Sequence, residues 1–91
     1  MTLQENCFSA LAQLNQIAPA YKELIERKSM VVAPISYHIN YFNTPCGLLA
    51  NLVSYDGYTR STHMTIRSWK EMTEYIKSIT KRLSDYIDEQ Q

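Results

Sequence analysis

The residues whose types best suit chemistry in this chain are two histidines, His38 and His63, together with nearby serines. In the strand register that we prefer below, both imidazoles share a sheet face near Ser36, Ser54 and Ser61, which suggests nucleophilic or metal chemistry. No acidic residue lies in the predicted strands to orient either imidazole. Because the chain also has no Gly-rich loop, metal-binding helix motif or nucleophile elbow, we predict no catalytic residue and no enzyme activity.

The two cysteines are the other reactive side chains. Cys7 and Cys46, with the two histidines, equal four zinc ligands by count, but no closely spaced Cys or His pair is present to start a metal site. Cys46 lies in a Pro-Cys-Gly turn and has no cationic neighbour in sequence that would lower the pKa of its thiol. We therefore predict two free, reduced thiols, no metal and no cofactor.

Length and charge narrow the class of protein. The chain has 91 residues, with nine Lys plus Arg and nine Asp plus Glu, so no strong electric field attracts nucleic acid or an anionic membrane. The N-terminus has no basic region of the kind found in a secretory signal, and the longest apolar run, Leu48 to Val53, is too short to span a bilayer. We expect a single small α+β domain over residues 1–91, soluble and cytoplasmic.

A three-four spacing of apolar residues over residues 2–28 predicts an amphipathic N-terminal helix. Pro19 lies inside this pattern, where its ring removes one backbone donor and clashes with the preceding turn. We expect a kink or a break near Ala18, and the sequence leaves open which of the two occurs. The apolar stripe comprises Leu3, Cys7, Leu11, Leu14, Ile17, Ala18, Tyr21, Leu24 and Ile25.

A second amphipathic helix is predicted from Trp69 to about Asp88. Residues 68–71 have the form of a capping box, in which the Ser68 hydroxyl accepts from the Glu71 amide and the Glu71 carboxylate accepts from the Ser68 amide. The apolar spacing also fits a short coiled-coil seam, so a dimer contact is an alternative to packing on a sheet. The stripe comprises Trp69, Met72, Ile76, Ile79, Leu83 and Tyr86.

Two hairpins are predicted between the helices. Alternating residues 35–42 form the first strand, and the turn-forming segment 43–47 returns the chain into a second strand. Asp56-Gly57 predicts a two-residue type I′ turn that pairs Tyr55 with Tyr58. The predicted order is therefore α-β-β-β-α, a three-stranded antiparallel meander packed against the Pro19-kinked or broken N-terminal helix and the C-terminal helix.

The length of the 43–47 loop decides which sheet face is core. With five loop residues, which we prefer, the apolar side chains of the first strand join the face that carries Leu49, Val53 and Tyr55. A four-residue loop would place them on the other face, because a one-residue slip inverts every side chain. The first-strand residues concerned are Ile35, Tyr37, Ile39 and Tyr41.

The most informative feature for function is an absence of charge. From Ser29 to Thr59 the only formally charged residue at neutral pH is Asp56, whereas solvated sheet faces and edge strands normally carry charge. We interpret the chain as a small non-enzymatic protein-interaction module, an inhibitor or regulator that docks an uncharged strand surface and the 55–58 hairpin tip on a protein partner. The predicted partner-binding residues are Tyr37, His38, Asn40, Phe42, Tyr55, Tyr58, Arg60 and His63.

Several alternatives stay open at this point. The helices or the N-terminal segment could cover the strand surface, or the edge strand 35–42 could pair with a second copy to form a homodimer. Seven tyrosines, with Arg60 and Arg67 for phosphates, also suit a homodimeric regulator that contacts nucleic acid. Motif-poor chains of this size are frequent among inhibitors encoded by phages and mobile elements, anti-CRISPR proteins included, which is a base rate and not a resemblance in residues.

Overall fold

Two helices and a three-stranded antiparallel sheet follow one another in the order α-β-β-β-α, which confirms the predicted α+β fold. The computed structural model describes residues 1–91. The strand order in the sheet is β1-β2-β3, so β2 is the central strand. The elements are α1 (Leu3–Lys28), β1 (Ser36–Thr44), β2 (Gly47–Tyr55), β3 (Arg60–Ile66) and α2 (Trp69–Glu89).

Helix α1 begins with a capping box that the sequence analysis did not single out. Thr2 Oγ1 accepts from the Glu5 amide at 3.1 Å, and Glu5 Oε1 accepts from the Thr2 amide at 3.1 Å. Pro19 lies inside the uninterrupted helix, so the break considered near Ala18 does not occur. The apolar stripe on both sides of Pro19 packs into one core with α2, and this packing offsets the backbone hydrogen bond that proline removes.

Helix α2 begins at Trp69, as predicted, but its cap is only half of the predicted box. Ser68 Oγ accepts from the Glu71 amide at 3.0 Å. The reciprocal bond from the Ser68 amide to the Glu71 carboxylate is not formed. One side-chain acceptor is enough to satisfy a donor in the first turn, so the helix still starts at this residue.

The turn between β1 and β2 is shorter than we predicted. Thr44 pairs with Gly47, so the turn has two central residues, Pro45 and Cys46, instead of the five-residue loop 43–47. Thr44 Oγ1 accepts from the Cys46 amide at 3.1 Å and donates to the Gly47 carbonyl at 2.8 Å, which stabilises the tighter turn. Gly47 supplies the positive φ, 114°, that this turn requires.

This register puts the first-strand apolar residues on the opposite face from the one that we preferred. Tyr37 lies opposite Ser54 and Ile39 opposite Leu52, so these four side chains share one face. Leu49, Val53 and Tyr55 point to the other side of the sheet. The preferred five-residue register is therefore wrong. The observed two-residue turn and the four-residue alternative differ by an even number of residues, so both place the apolar side chains of β1 on the same face.

The second hairpin also departs from prediction. Tyr55 pairs with Arg60, not with Tyr58, and the turn contains Asp56 to Thr59. Asp56 Oδ1 accepts from the amides of Tyr58 and Thr59, both at 2.8 Å, so the carboxylate organises a longer turn than the Asp-Gly pair alone indicates. Further along, a β-bulge opposite residues Asn51 to Val53 adds one residue to β3. Beyond the bulge, the side chains of β3 point to the opposite faces from those that strict alternation would give.

The core lies between the two helices and one face of the sheet. Leu14 of α1, Leu52 of β2, and Met72 and Ile76 of α2 are completely buried there. The molecule measures 46 × 28 × 15 Å along its principal axes, and 15 Å is the thickness of one helix layer on one sheet layer. The second face of the sheet is therefore left without a covering layer.

Candidate protein-binding surface

The sheet face that points away from the helices is the candidate site, and we call it the open face. Side chains alternate along each strand, so every second residue of β1, β2 and β3 belongs to it. The pairing register assigns the following residues to the open face: Ser36, His38, Asn40, Phe42, Thr44, Leu49, Asn51, Val53, Tyr55, Arg60, Thr62 and Thr65.

Large apolar and aromatic side chains are exposed on this surface. Phe42 is 56% exposed and lies beside Leu49, while Tyr55 is exposed at the other end of β2. Val53 is only 4% exposed because it lies on the central strand between His38 and Thr62. Phe42 and the partly exposed Leu49 make a small apolar patch at one end of the face, and Tyr55 presents an exposed ring at the other; exposed apolar patches are typical of interaction surfaces.

The open face is almost free of charge. Arg60 is its only formally charged residue, and its guanidinium carbon lies 6.0 Å from the centre of the Tyr55 ring, a cation–π contact. Arg60 forms no ion pair with a carboxylate of the chain. Asn51 and Thr65 satisfy each other, since Thr65 Oγ1 donates to Asn51 Oδ1 at 2.8 Å. The surface thus combines aromatic groups, paired polar groups and one cation whose charge is not balanced.

The turn between β2 and β3 presents one aromatic ring to solvent. Tyr58 is 87% exposed. The turn that holds it is well ordered by hydrogen bonds, because the Asp56 carboxylate also accepts from Thr59 Oγ1 at 3.1 Å and Tyr55 Oη donates to the Gly57 carbonyl at 3.1 Å. The backbone amides of Thr59 and Tyr58 hold the pKa of Asp56 below its ordinary value. Tyr58 is therefore an exposed side chain on a fixed backbone.

Two of the predicted partner-binding residues do not belong to this surface. Tyr37 is 7% exposed and lies in the core, and His63 is on the helix side of the sheet. His63 Nε2 is 2.8 Å from Ser54 Oγ, a hydrogen bond on that same side. His38 points the other way, so the two histidines do not come together. The remaining predicted residues, His38, Asn40, Phe42, Tyr55, Tyr58 and Arg60, lie on the open face or at its adjoining turn.

The outer edge of β1 is partly closed by a residue that the sequence analysis missed. Asn15 Nδ2 donates to the Tyr37 carbonyl at 3.0 Å, and Asn15 Oδ1 accepts from the Tyr37 amide at 2.7 Å. Backbone groups of alternate residues point to the same side of an antiparallel strand, so the outer groups of Ile39 and Tyr41 face the same edge. The only sign of this contact in the sequence was the position of Asn15, an amide side chain that directly follows Leu14 of the apolar stripe.

The cysteines differ in their surroundings. Cys7 is completely buried in the core, and burial raises the pKa of its thiol. Cys46 is exposed in the β1–β2 turn, and neither residue forms a disulfide. No three side chains of His, Cys, Asp or Glu are grouped in a way that could hold a metal ion.

Comparison with known proteins adds no assignment. No protein-family model, no curated protein and no solved structure shows a significant match to this chain. Neither helix combines the length and the apolar composition that crossing a membrane would require.

Proposed function

We propose that the protein is a non-enzymatic interaction module, an inhibitor or regulator that binds a protein partner through the open face and Tyr58. The observation that carries this proposal is the uncovered sheet face, on which Phe42 and Tyr55 are exposed and only one residue is charged. The central part of a protein interface is depleted in Lys, Glu and Asp and enriched in aromatic residues, Met and Arg. The open face has this composition.

The geometry also suits a rigid binding surface. The backbone of a hydrogen-bonded sheet loses little conformational freedom on binding, and the backbone of the turn that carries Tyr58 is fixed by Asp56. Tyrosine and arginine are among the residues that contribute most to binding energy. Tyr55, Tyr58 and Arg60 lie together at one end of the sheet and Phe42 lies at the other, so we expect both ends of the open face to contribute binding energy.

The charge of the surface favours a different protein over a second copy. Arg60 has no carboxylate partner in its own chain, and the open face offers none to an Arg60 of a second copy. A partner with an acidic residue opposite Arg60 and an apolar patch opposite Phe42 satisfies both groups. Pairing of two copies through β1 into a continuous sheet is also opposed, because Asn15 occupies that edge at Tyr37.

The experiment that tests the proposal is affinity capture from lysate of the native host, with three baits. The baits are the wild type, Phe42→Lys on the open face and Gln16→Lys on the exposed side of α1, which adds the same charge elsewhere. Lysine is well tolerated on an exposed edge strand, so Phe42→Lys should fold. We expect one protein retained at near-equal amount by the wild type and by Gln16→Lys, and lost from Phe42→Lys.

Nuclease treatment separates the proposal from the nucleic-acid alternative. Retention that survives nuclease and depends on Phe42 supports a protein partner. Retention that nuclease abolishes would instead indicate contact with nucleic acid, and equal retention by all three baits would place the binding site off the open face. Light scattering of the purified chain, with a monomeric mass expected, tests whether the open face is free of a second copy.

A further inference from the structure

The helix side of the sheet contains a cleft of about 420 Å³ that is partly open to solvent and separate from the open face, and we call it the cavity. It lies between α1, α2 and the sheet, and residues 31–34, which connect α1 to β1, form part of its wall. Ligand-binding cavities usually range from about 300 to 1,000 Å³ and are mostly apolar with a few polar groups. The residues that line the cavity include Tyr21, Tyr37, Ile79, Arg82 and Tyr86.

Arg82 is the only formally charged residue that lines the cavity. Its guanidinium forms no ion pair with any carboxylate of the chain, although the neighbouring Lys81 pairs with Asp85 at 2.9 Å. An unpaired guanidinium next to an apolar wall is suited to a bound anion, because it offers several N–H donors in a fixed plane. It also repels a bound cation, so the tyrosine rings are not a site for an ammonium group.

The Tyr37 hydroxyl is a second polar group at the cavity. The residue is packed in the core, yet its hydroxyl has no hydrogen-bond partner in the chain, and no completely buried polar side-chain atom lacks a partner. The hydroxyl oxygen is therefore not fully enclosed, and Tyr37 is one of the residues that line the cavity. Burial raises the pKa of Tyr37 above its ordinary value, and the nearby charge of Arg82 acts in the opposite direction. Near neutral pH the hydroxyl is protonated and free to donate.

The wall formed by residues 31–34 is held in place by two charged side chains of α1. Lys22 Nζ donates to the Ala33 carbonyl at 2.9 Å, and Glu26 Oε2 accepts from the Ala33 amide at 3.1 Å. Lys22 and Glu26 also pair with each other at 2.6 Å, and Lys22 Nζ donates to the Asp56 carbonyl at 3.2 Å. Both backbone groups of Ala33 are thus hydrogen-bonded, which fixes this part of the wall to α1.

We propose that this cavity binds a small amphipathic anion with a single acidic group and an aromatic or compact apolar body. The acidic group pairs with Arg82 and accepts a hydrogen bond from the Tyr37 hydroxyl, while the apolar body contacts Tyr21, Ile79 and Tyr86. The single unpaired positive charge of Arg82 matches a single negative charge on the bound molecule. The site is independent of the proposed partner surface, because the two lie on opposite faces of the sheet.

The test uses two fluorescent probes that share their rings and differ in charge. 8-Anilino-1-naphthalenesulfonate carries the sulfonate, and N-phenyl-1-naphthylamine has the same rings without it. We expect Arg82→Gln to weaken binding of the sulfonate probe about tenfold, the value of one lost charge-assisted hydrogen bond, and to leave the neutral probe unchanged. Tyr37→Phe, which preserves the packing of the ring, should weaken the sulfonate probe by a smaller factor and also spare the neutral one.

Two control variants locate the probes. Arg67→Gln removes an exposed guanidinium outside the cavity lining, and Phe42→Asn removes an aromatic ring from the open face; both should leave the two affinities unchanged. The proposal is overturned if Arg82→Gln has no effect, if it weakens both probes equally, or if Arg67→Gln has the same effect. A loss of both probes in Phe42→Asn would place them on the open face and would also overturn it.

Discussion

The side-chain amide of Asn15 in α1 binds the backbone of Tyr37 in β1 as a neighbouring strand would. It accepts from the Tyr37 amide at 2.7 Å and donates to the Tyr37 carbonyl at 3.0 Å. The contact fastens the helix layer to an edge strand and occupies two backbone groups that a foreign strand could otherwise pair with. A single helical residue therefore contributes both to the stability of the fold and to the protection of its edge.

Replacing Asn15 with Ala should destabilise the protein clearly. Both hydrogen bonds are lost, and the partly buried amide and carbonyl of Tyr37 are left without partners, which costs roughly 1–3 kcal/mol. Denaturant unfolding measures the change in the free energy of unfolding. Gln16→Ala, at the next position but exposed, is the matched control and should change it by less than about 0.5 kcal/mol. Equal effects in the two variants would mean that the Asn15 contact is not important for stability.

The carboxylate of Asp56 should make the β2–β3 turn sensitive to acid. The amides of Thr59 and Tyr58 lower its pKa, so its stabilising contribution is present above the ordinary aspartate pKa of about 3.9 and is lost as the pH falls through the lowered value. Asp56→Asn keeps one acceptor oxygen and does not titrate. The difference in stability between wild type and Asp56→Asn should therefore shrink with acidification, whereas a difference that is constant from pH 6 to pH 2 would contradict this role.

Tyr37 should contribute to stability until the solution becomes strongly alkaline. Its pKa is raised, chiefly by burial, so the contribution is fully present below the ordinary tyrosine pKa of about 10 and is lost as the pH rises through the raised value. Tyr37→Phe removes the titration. We expect wild type to lose stability faster than Tyr37→Phe above this pH, measured by denaturant unfolding. Parallel curves for the two proteins would show that the hydroxyl is not desolvated.

The two thiols should differ in their reaction with a thiol reagent. Cys46 is exposed, whereas Cys7 is completely buried and its pKa is raised by burial. Iodoacetamide should therefore label one site in the native protein and two in denaturant, as counted by mass spectrometry. Cys46→Ser should show no labelling in the native state. Rapid native labelling of Cys7 would mean that α1 separates readily from α2.

The order of the elements could be predicted from sequence because it depends on local pattern. The spacing of apolar residues in α1 and α2 and the alternation in β1 each identify their element within a few residues. The strand register could not be predicted in the same way. Side-chain hydrogen bonds from Thr44 and Asp56 set the two turn lengths, and the composition of both turns is compatible with more than one length.

The candidate surface was predictable only in part for the same reason. The absence of charge in residues 29–59 pointed to an unusual strand surface, and Phe42, Tyr55 and Tyr58 are indeed exposed. Tyr37 and His63 lie away from that surface because they are on the face that carries Ser54 and Leu52, and this face, not the face of Leu49 and Val53, packs against the helices. The cavity near Arg82 depends on contacts among both helices, β1, β3 and residues 31–34, and it had no local signal.

The most direct test of the proposed function is the dissociation constant of the captured partner for the wild type, Phe42→Lys and Gln16→Lys. We predict at least a tenfold weaker affinity for Phe42→Lys, since a buried interface aromatic commonly contributes more than 1.4 kcal/mol. Gln16→Lys should bind as the wild type does, and all three proteins should have similar melting temperatures. Unchanged affinity in a folded Phe42→Lys would contradict the assignment of the open face as the binding surface.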